Sequence, residues 1–599
     1  MKSLKISSGS SLVKSRTKKS AQTLDTSISS YDRTDPFFAF NTLIKLLGSL
    51  PSRIGGCQFK LTPDEHKLSL HLLSIVEPFV GLAPSRRTIT RQPTEVLDSI
   101  IFHVDSKRDL LSLALSCQRM YDVVFPRHFQ YRTIRCKVSS ISLWNHLIIN
   151  RSLARNVRRL EILDERCTEP EILPPGILTT DTDLESTDDE LGLHDKQERY
   201  LVAALAKMTA LSTFIWSCNH SPISIDHVWP TLLKCYSLRE VEINDNLVFS
   251  QQDVEENNKK ARRPVVLPEM RMIALRSTPH IYGSTKHPNL NRISSILNHC
   301  PNLKSLDIAY NPPRTGANGS ASRPPADELL LYSRWPQLTS LTLTNLRCSS
   351  TTGFDSASAF LSAHVNLEVL HLDVGIHANL GGTGTPTLTL PPNSLPRLRE
   401  LQASKEVANA VLECPCDSLR PLETLKGFRL SGSQGGSRDP DAVFLNNLKR
   451  RGKTVKRVEL SGWGEQEDIR RLIESSPGLT WLDIGRKVGM RSGSGAVVSN
   501  TVEWATLLSE LPELTVFHGI KFFYEVSPQA AAPSATPMST NISMTDRSRI
   551  RKNDEVASTL AWKCVKLRRL DHWEEVGGKV IVLVKDGEKV RWEARRVKL

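Results

Sequence analysis

Side chains able to do chemistry are few and scattered along this chain. Two short clusters carry metal-ligand types at close spacing, CNH from Cys218 to His220 and CPC from Cys414 to Cys416. Structural zinc takes four such ligands, ordinarily as two spaced pairs. Neither cluster has a second pair at that distance, so no metal or other cofactor is expected. Covalent chemistry is as hard to place. No G-x-S-x-G elbow, H-E-x-x-H pair or G-x-x-x-x-G-K-[ST] loop occurs, and GGTGTPT from Gly381 lacks the Lys and flanking elements that phosphate binding needs. The reading is a protein that binds and is not an enzyme.

The polar residues with a regular position sit inside a recurring pattern, P-x-L-x-x-L-x-[LI]. It is clearest in PNLKSLDI from Pro301, PQLTSLTL from Pro336 and PGLTWLDI from Pro477, with looser copies such as LREVEI from Leu238, NLEVLHL from Asn366 and KLRRLDHW from Lys566. Apolar residues two apart, such as Leu306 and Ile308, form a short strand with one face to bury. Helix-period patches precede several copies (NRISSILNHC, QEDIRRLIESS, TVEWATLLSE), and the proline then stops the helix. A unit of helix, proline and strand cannot enclose its own apolar side, so the units must stack. The expected fold class is α/β, an irregular leucine-rich-repeat solenoid or horseshoe. It ends in a β-hairpin, because Asp586-Gly587 separates two Val-rich runs. Residues between the buried pairs then line the concave face: Glu242, Asp307, Thr342, His371, Arg429, Glu459, Trp481 and Asp483. Both charges and one large aromatic suit a protein partner, with Trp481 as the anchor.

The stretch PTEVLDSIIFHVDSKRDLLSLALSCQRMYDVVFP, from Pro93 to Pro126, holds more apolar side chains than so small a helical unit can hide. Pro93 opens a first helix with Val96, Leu97, Ile100, Ile101 and Val104 on one face. Asp105 or Ser106 caps a second, apolar around most of its circumference, and a third patch runs from Cys117 to Phe125. Part of this surface is left for something else to cover.

Here the residues resemble the F-box, whose usual form is L-P-x-E-[LI]-L-x-x-I-[FL], a turn with D-L-L, then a Leu-rich run ending in C-[KR]-R-W. Pro93, Glu95, Leu97, Ile100, Asp109, Leu110, Leu111, Leu113, Leu115, Cys117 and Arg119 fit; Gln92, Met120 and one extra residue near Arg108 depart from it. F-box first and leucine-rich repeats after is similar to the F-box/LRR family in its fungal style. The resemblance implies a substrate receptor of an SCF-type (Skp, cullin, F-box) ubiquitin ligase, serving ubiquitin-dependent degradation. The F-box binds the Skp adaptor, and through it cullin, and the repeats hold a protein substrate. The adaptor contacts it implies are Pro93, Leu97, Ile100, Ile101, Leu110, Leu111, Leu115, Cys117 and Met120. Two alternatives stay open: an F-box/LRR scaffold acting outside a ligase, and a basic nucleic-acid-associated protein.

Composition narrows the second alternative. Of 599 residues 39% are hydrophobic and the formal net charge is +14, but the excess of Lys and Arg gathers at the ends while the middle carries both signs, which argues against nucleic acid as the partner. No stretch is apolar for long enough to cross a membrane. Eleven cysteines without a pairing rhythm fit a reducing compartment, cytoplasmic and/or nuclear. The expected organisation is a disordered basic Ser/Thr-rich tail over 1–35, a helical lead-in over 36–90, the F-box over 91–135 and repeats over 150–599. Disordered insertions are expected near 164–198, 311–328, 431–441 and 527–549.

Overall fold

The structure is a computed structural model. It describes residues 25–50, 60–80, 89, 92–177, 190–218, 223, 225–251, 266–313, 322–348, 353–376, 388–430, 440–488, 500–527, 543–574, 578–587 and 589–597. The chain divides into two compact units, one of Met1–Val104 with Ser112–Val123, the other of Asp105–Leu111 with Val124–Leu599.

In the first unit, α1 (Pro36–Ser49) and α2 (Pro63–Val80) pack on each other. Pro36 opens α1 and the Asp35 carboxylate accepts from Phe38 N–H at 2.9 Å, the capping that a helix start requires. Thr62 and Glu65 do the same for α2 by bonding each other's backbone N–H. Ala39, Leu43, Leu68, Leu72, Ile75 and Val76 close into one core with Tyr31. Next come α3 (Thr94–Phe102), α4 (Lys107–Ala114) and α5 (Gln118–Val124), with the boundary between units running through α4 and α5. Ser106 Oγ accepts from Asp109 N–H at 3.3 Å at the start of α4. No helix among the described residues is long and apolar enough to cross a membrane.

Among the described residues the second unit is built on one sheet of 17 strands. They are β1 (Thr133–Lys137), β2 (Arg159–Leu163), β3 (Thr213–Trp216), β4 (Glu240–Asn244), β5 (Met272–Arg276), β6 (Ser305–Ala309), β7 (Ser340–Cys348), β8 (Val369–Ile376) and β9 (Glu400–Ala403). After them come β10 (Thr424–Arg429), β11 (Arg457–Trp463), β12 (Trp481–Asp483), β13 (Arg486–Lys487), β14 (Val516–His518), β15 (Arg569–Asp571), β16 (Lys579–Asp586) and β17 (Lys589–Arg596). From β1 to β15 every pairing is parallel and joins neighbours in sequence, except that β11 pairs both β12 and β13 and β12 pairs β14. Helices return the chain between strands, among them Asn291–Leu297, Gln466–Ser475 and Thr501–Leu508, where the helix-period patches stand. A mixed α/β unit with so long a parallel sheet fits a leucine-rich-repeat-like arrangement.

Buried residues two apart on strands such as β6 and β7 make the inner ladders. Leu306, Leu341 and Leu370 stand in register with one another and are buried, as are Val458 and Leu482 further on. Such stacking buries each repeat's apolar side against the next. An antiparallel pairing stands at each end of the parallel run, where edge backbone groups would otherwise begin. At β1, Ile172 exchanges two backbone bonds with Arg135, at 3.0 and 2.8 Å. At β15, the hairpin of β16 and β17 pairs antiparallel, and Trp592 Nε1–H reaches Asp554 on the helix Met544–Lys563 at 3.0 Å.

All four insertions expected to be disordered have described parts; within 431–441 a helix begins at Pro440. Within 164–198 the structure places residues 164–177, including the Ile172 edge pairing, and a helix begins at Glu190. Its physical reason is the apolar run Leu201, Ala204, Leu205, which is buried and extends that helix upstream. Within 311–328 a helix begins at Asp327, and within 527–549 the helix Met544–Lys563 begins with Ser543 as its cap. Residues 178–189, 314–321, 431–439 and 528–542, and the tail before Asp25, lie outside the described residues.

Candidate functional site on the outward face of the sheet

Alternation puts one side chain of each strand outward between two buried ones, and the parallel register aligns these into rows. The main row is Arg135, Glu161, Ile215, Glu242, Ala274, Asp307 and Thr342 across β1 to β7. It continues through His371, Gln402, Lys426, Glu459, Asp483 and His518 across β8 to β14. Six of the eight residues expected on the concave face, Glu242, Asp307, Thr342, His371, Glu459 and Asp483, therefore share one line. Trp481 stands in the next row, level with Arg457. Arg429 is exposed but out of line. Lys426 is the residue that stands beside Glu459, and Arg429 lies three residues further along and pairs with Gly462; between them Gly427, whose φ of 87° favours glycine, is left out of the ladder and Phe428 pairs with Leu460.

The rows are knitted by charge. Glu161 accepts from Arg135 at 2.5 Å and from Arg159 at 2.6 Å; burial pushes its carboxyl up, but the two guanidinium bonds outweigh that and leave it below the usual range. Arg276 joins Glu242 at 3.0 Å to Asp307 at 2.6 Å. Glu400 takes both His371 and Lys426 at 2.9 Å. Arg457 bonds Glu459 at 2.6 Å and lies 4.0 Å over the Trp481 ring, whose other neighbour is His518 at 5.5 Å. Trp481 is thus half-buried and stacked between two side chains.

His518 Nδ1 lies 2.5 Å from Asp571 Oδ1, and Gly519 N–H donates to the other carboxylate oxygen at 2.6 Å. Burial disfavours the imidazolium, but the Asp571 bond and the charges of Asp571 and Asp483 prevail, so its pKa stands above the ordinary value. Asp483 is pushed up by burial first and by the Asp571 and Glu459 charges, against the pull of Gly485 N–H and His518. A histidine with a raised folded pKa gives stability that is full below its unfolded value of about 6.5 and is lost as pH rises through the folded value. The melting-temperature gap between wild type and Asp571→Asn should accordingly be widest near pH 6 and narrow toward pH 9. A gap constant over that range contradicts a protonated His518.

Sequence reasoning missed Arg135, Glu161, Lys426, His518, Asp571 and the bridging Arg276. Its signal for His518 and Asp571 was available, since each directly follows the buried ladder residue of its strand, Phe517 or Leu570. For β1 and β2, TIRCK and RLEIL carry no leading Pro-x-Leu to announce them.

The adaptor contacts implied by resemblance divide. Leu97, Ile101, Leu110 and Met120 are fully buried, which corrects their assignment as surface contacts: they are the inner side chains of α3, α4 and α5. Pro93, Ile100, Leu111 and Leu115 are exposed, Leu115 at 74%, and Cys117 is half-buried. Val96 and Tyr121 are exposed as well and were not among the nine. Of the ligand-type clusters, Cys218 is buried and His220 lies outside the described residues. Cys416 receives Arg420 at 2.9 Å, and no metal-holding group of His, Cys, Asp and Glu occurs among the described residues.

No family model matches the chain, and no curated protein matches it. Among solved structures, the Rad7 and Elc1 complex of yeast aligns over 80% of this chain and 98% of that chain, at 13% identity and a TM-score of 0.29. The plant peptide hormone receptor RGFR1 in complex with RGF2 aligns over 62% and 73%, at 11% identity and a TM-score of 0.16. Likenesses this distant carry no argument about fold or function.

Proposed function

We propose that this chain is the substrate-recognition subunit of an SCF-type ubiquitin ligase, with the segment from Pro93 to Val124 as an F-box that binds a Skp adaptor. The single observation that carries the reading is the exposure of Pro93, Val96, Ile100, Leu115 and Tyr121 within a segment whose order of residues resembles the F-box. Large apolar side chains gathered over so short a stretch mark an interaction surface. The outward rows of the long sheet are the place for a target protein, because they offer both charges and a half-buried aromatic on a rigid frame. The chain then contributes proximity and no bond-making: a target held beside the transferring subunits meets them at high effective concentration.

The test is capture of the tagged full chain from cells in which the Skp adaptor and cullin are present, with the bound proteins identified. Wild type retains both, and Leu115→Asp loses both. Retention of neither by wild type overturns the reading. The adaptor without cullin selects a scaffold acting outside a ligase.

A further inference from the structure

At the N-terminal ends of β4, β5 and β6 the sheet stacks three cations. Arg239, Arg271 and Lys304 each precede their strand by one residue. Arg271 N–H donates to Arg239 O at 2.8 Å, and Lys304 N–H donates to Arg271 O at 2.8 Å. Strands in a sheet lie about 4.8 Å apart, so like charges stand directly beside one another, which is unfavourable until something neutralises them. The chain supplies only part of that. Glu269 lies 4.0 Å from Arg239 and 3.7 Å from Arg271, and Asp105 lies 3.8 Å from both Arg239 and Arg158.

These pairs are long for hydrogen bonds and open to water, and such pairs hold their partners weakly. The side chains of Arg239 and Arg271 remain 55% and 44% exposed. Lys304 is exposed and forms no ion pair among the described residues. Four cations with Arg158 included thus face two carboxylates. The excess is felt at Arg158, where burial first, and then the charges of Arg239 and Arg155, keep the guanidinium below its ordinary pKa against the pull of Asp105.

We propose that this edge of the sheet is a docking surface for an acidic segment of a protein partner, whose Asp and Glu carboxylates seat on Arg239, Arg271 and Lys304. The surface lies off the outward rows and uses none of the exposed apolar side chains offered for the adaptor, so it stands whether or not the adaptor reading holds. Two observations favour carboxylate side chains over a nucleic acid. Asp105 and Glu269 are interleaved with the cations, and a phosphate backbone charged at every nucleotide meets them, whereas a peptide can leave those positions uncharged. Among the described residues the row of Arg239, Arg271 and Lys304 also holds no aromatic side chain of its own for base stacking.

Fluorescence anisotropy of the full chain with a fluorescein-labelled Glu/Asp-rich peptide tests this. Saturable binding that weakens as salt rises is expected from wild type. Lys304→Ala and Arg271→Ala should each cost about tenfold in Kd, the loss of one charge-assisted contact. Lys304 is exposed, so its variant keeps the fold even where Arg271→Ala does not; melting curves report which variants are folded. No saturable binding by wild type overturns the proposal, as does binding of Lys304→Ala equal to wild type. A single-stranded DNA oligonucleotide that displaces the peptide at lower concentration than unlabelled peptide does overturns the choice of partner.

Discussion

The double variant Ile100→Asp with Leu115→Asp is expected to bind a Skp adaptor at least about a hundredfold more weakly than wild type. Each aliphatic side chain that leaves water on binding contributes about 1.5–3 kcal/mol, and an introduced carboxylate adds the cost of burying a charge without a partner. Both residues already face solvent in the free chain, so removing them takes nothing from a core, and the melting temperature should be unchanged. Titration calorimetry with purified adaptor, beside a melting curve, separates the two effects. Leu97→Ala should give the reverse pattern, because Leu97 is fully buried: lower stability, and adaptor binding impaired only to the extent that the folded population falls.

The second large effect concerns the sheet. Trp216 on β3 is fully buried, stacks at 6.3 Å on Phe214 and donates Nε1–H to Asp245 at 3.2 Å. Trp216→Ala removes the largest side chain of that repeat and withdraws a donor from a buried carboxylate, a loss of about 3–5 kcal/mol from the cavity with about 1–3 kcal/mol more from the carboxylate. In a stacked-repeat protein each unit leans on its neighbours, so the loss spreads locally. Hydrogen exchange should show β2 to β5 opening well before β9 to β12. Trp562→Ala is the control: at 80% exposed it packs on little, and exchange should not change. Uniform acceleration along all strands in Trp216→Ala contradicts a chain of locally coupled repeats.

Much of the sheet could be read from residue order because its inner ladder is made of Leu at period two after a proline, as in Leu306 and Ile308 or Leu341 and Leu343. The outward row followed from it, since the residue between two buried ones has one direction left. The first strands escaped notice because Thr133–Lys137, Arg159–Leu163 and Thr213–Trp216 bury mixed residues such as Cys136 and Trp216 without that lead. Ile172 was hidden for a different reason: its backbone pairs with an edge strand, and an edge pairing is specified by geometry at β1 and not by the acidic composition around it. Within Pro93 to Pro126 the surplus of apolar side chains was legible, but its division was not. Leu97 and Ile100 have the same character and differ only in which side of α3 they occupy. Register is equally invisible in composition: the partner of Glu459 is Lys426, three residues before Arg429, and the local shift at Gly427 changes only the pairing of Phe428.

Direct titration of the purified full chain with a purified Skp adaptor tests most plainly whether the segment around α3 to α5 is an adaptor-binding surface. A saturable one-to-one complex at micromolar concentration or below is expected, abolished in the Ile100→Asp, Leu115→Asp variant. A wild-type chain that is folded by its melting curve and shows no binding at the highest adaptor concentration reached contradicts it.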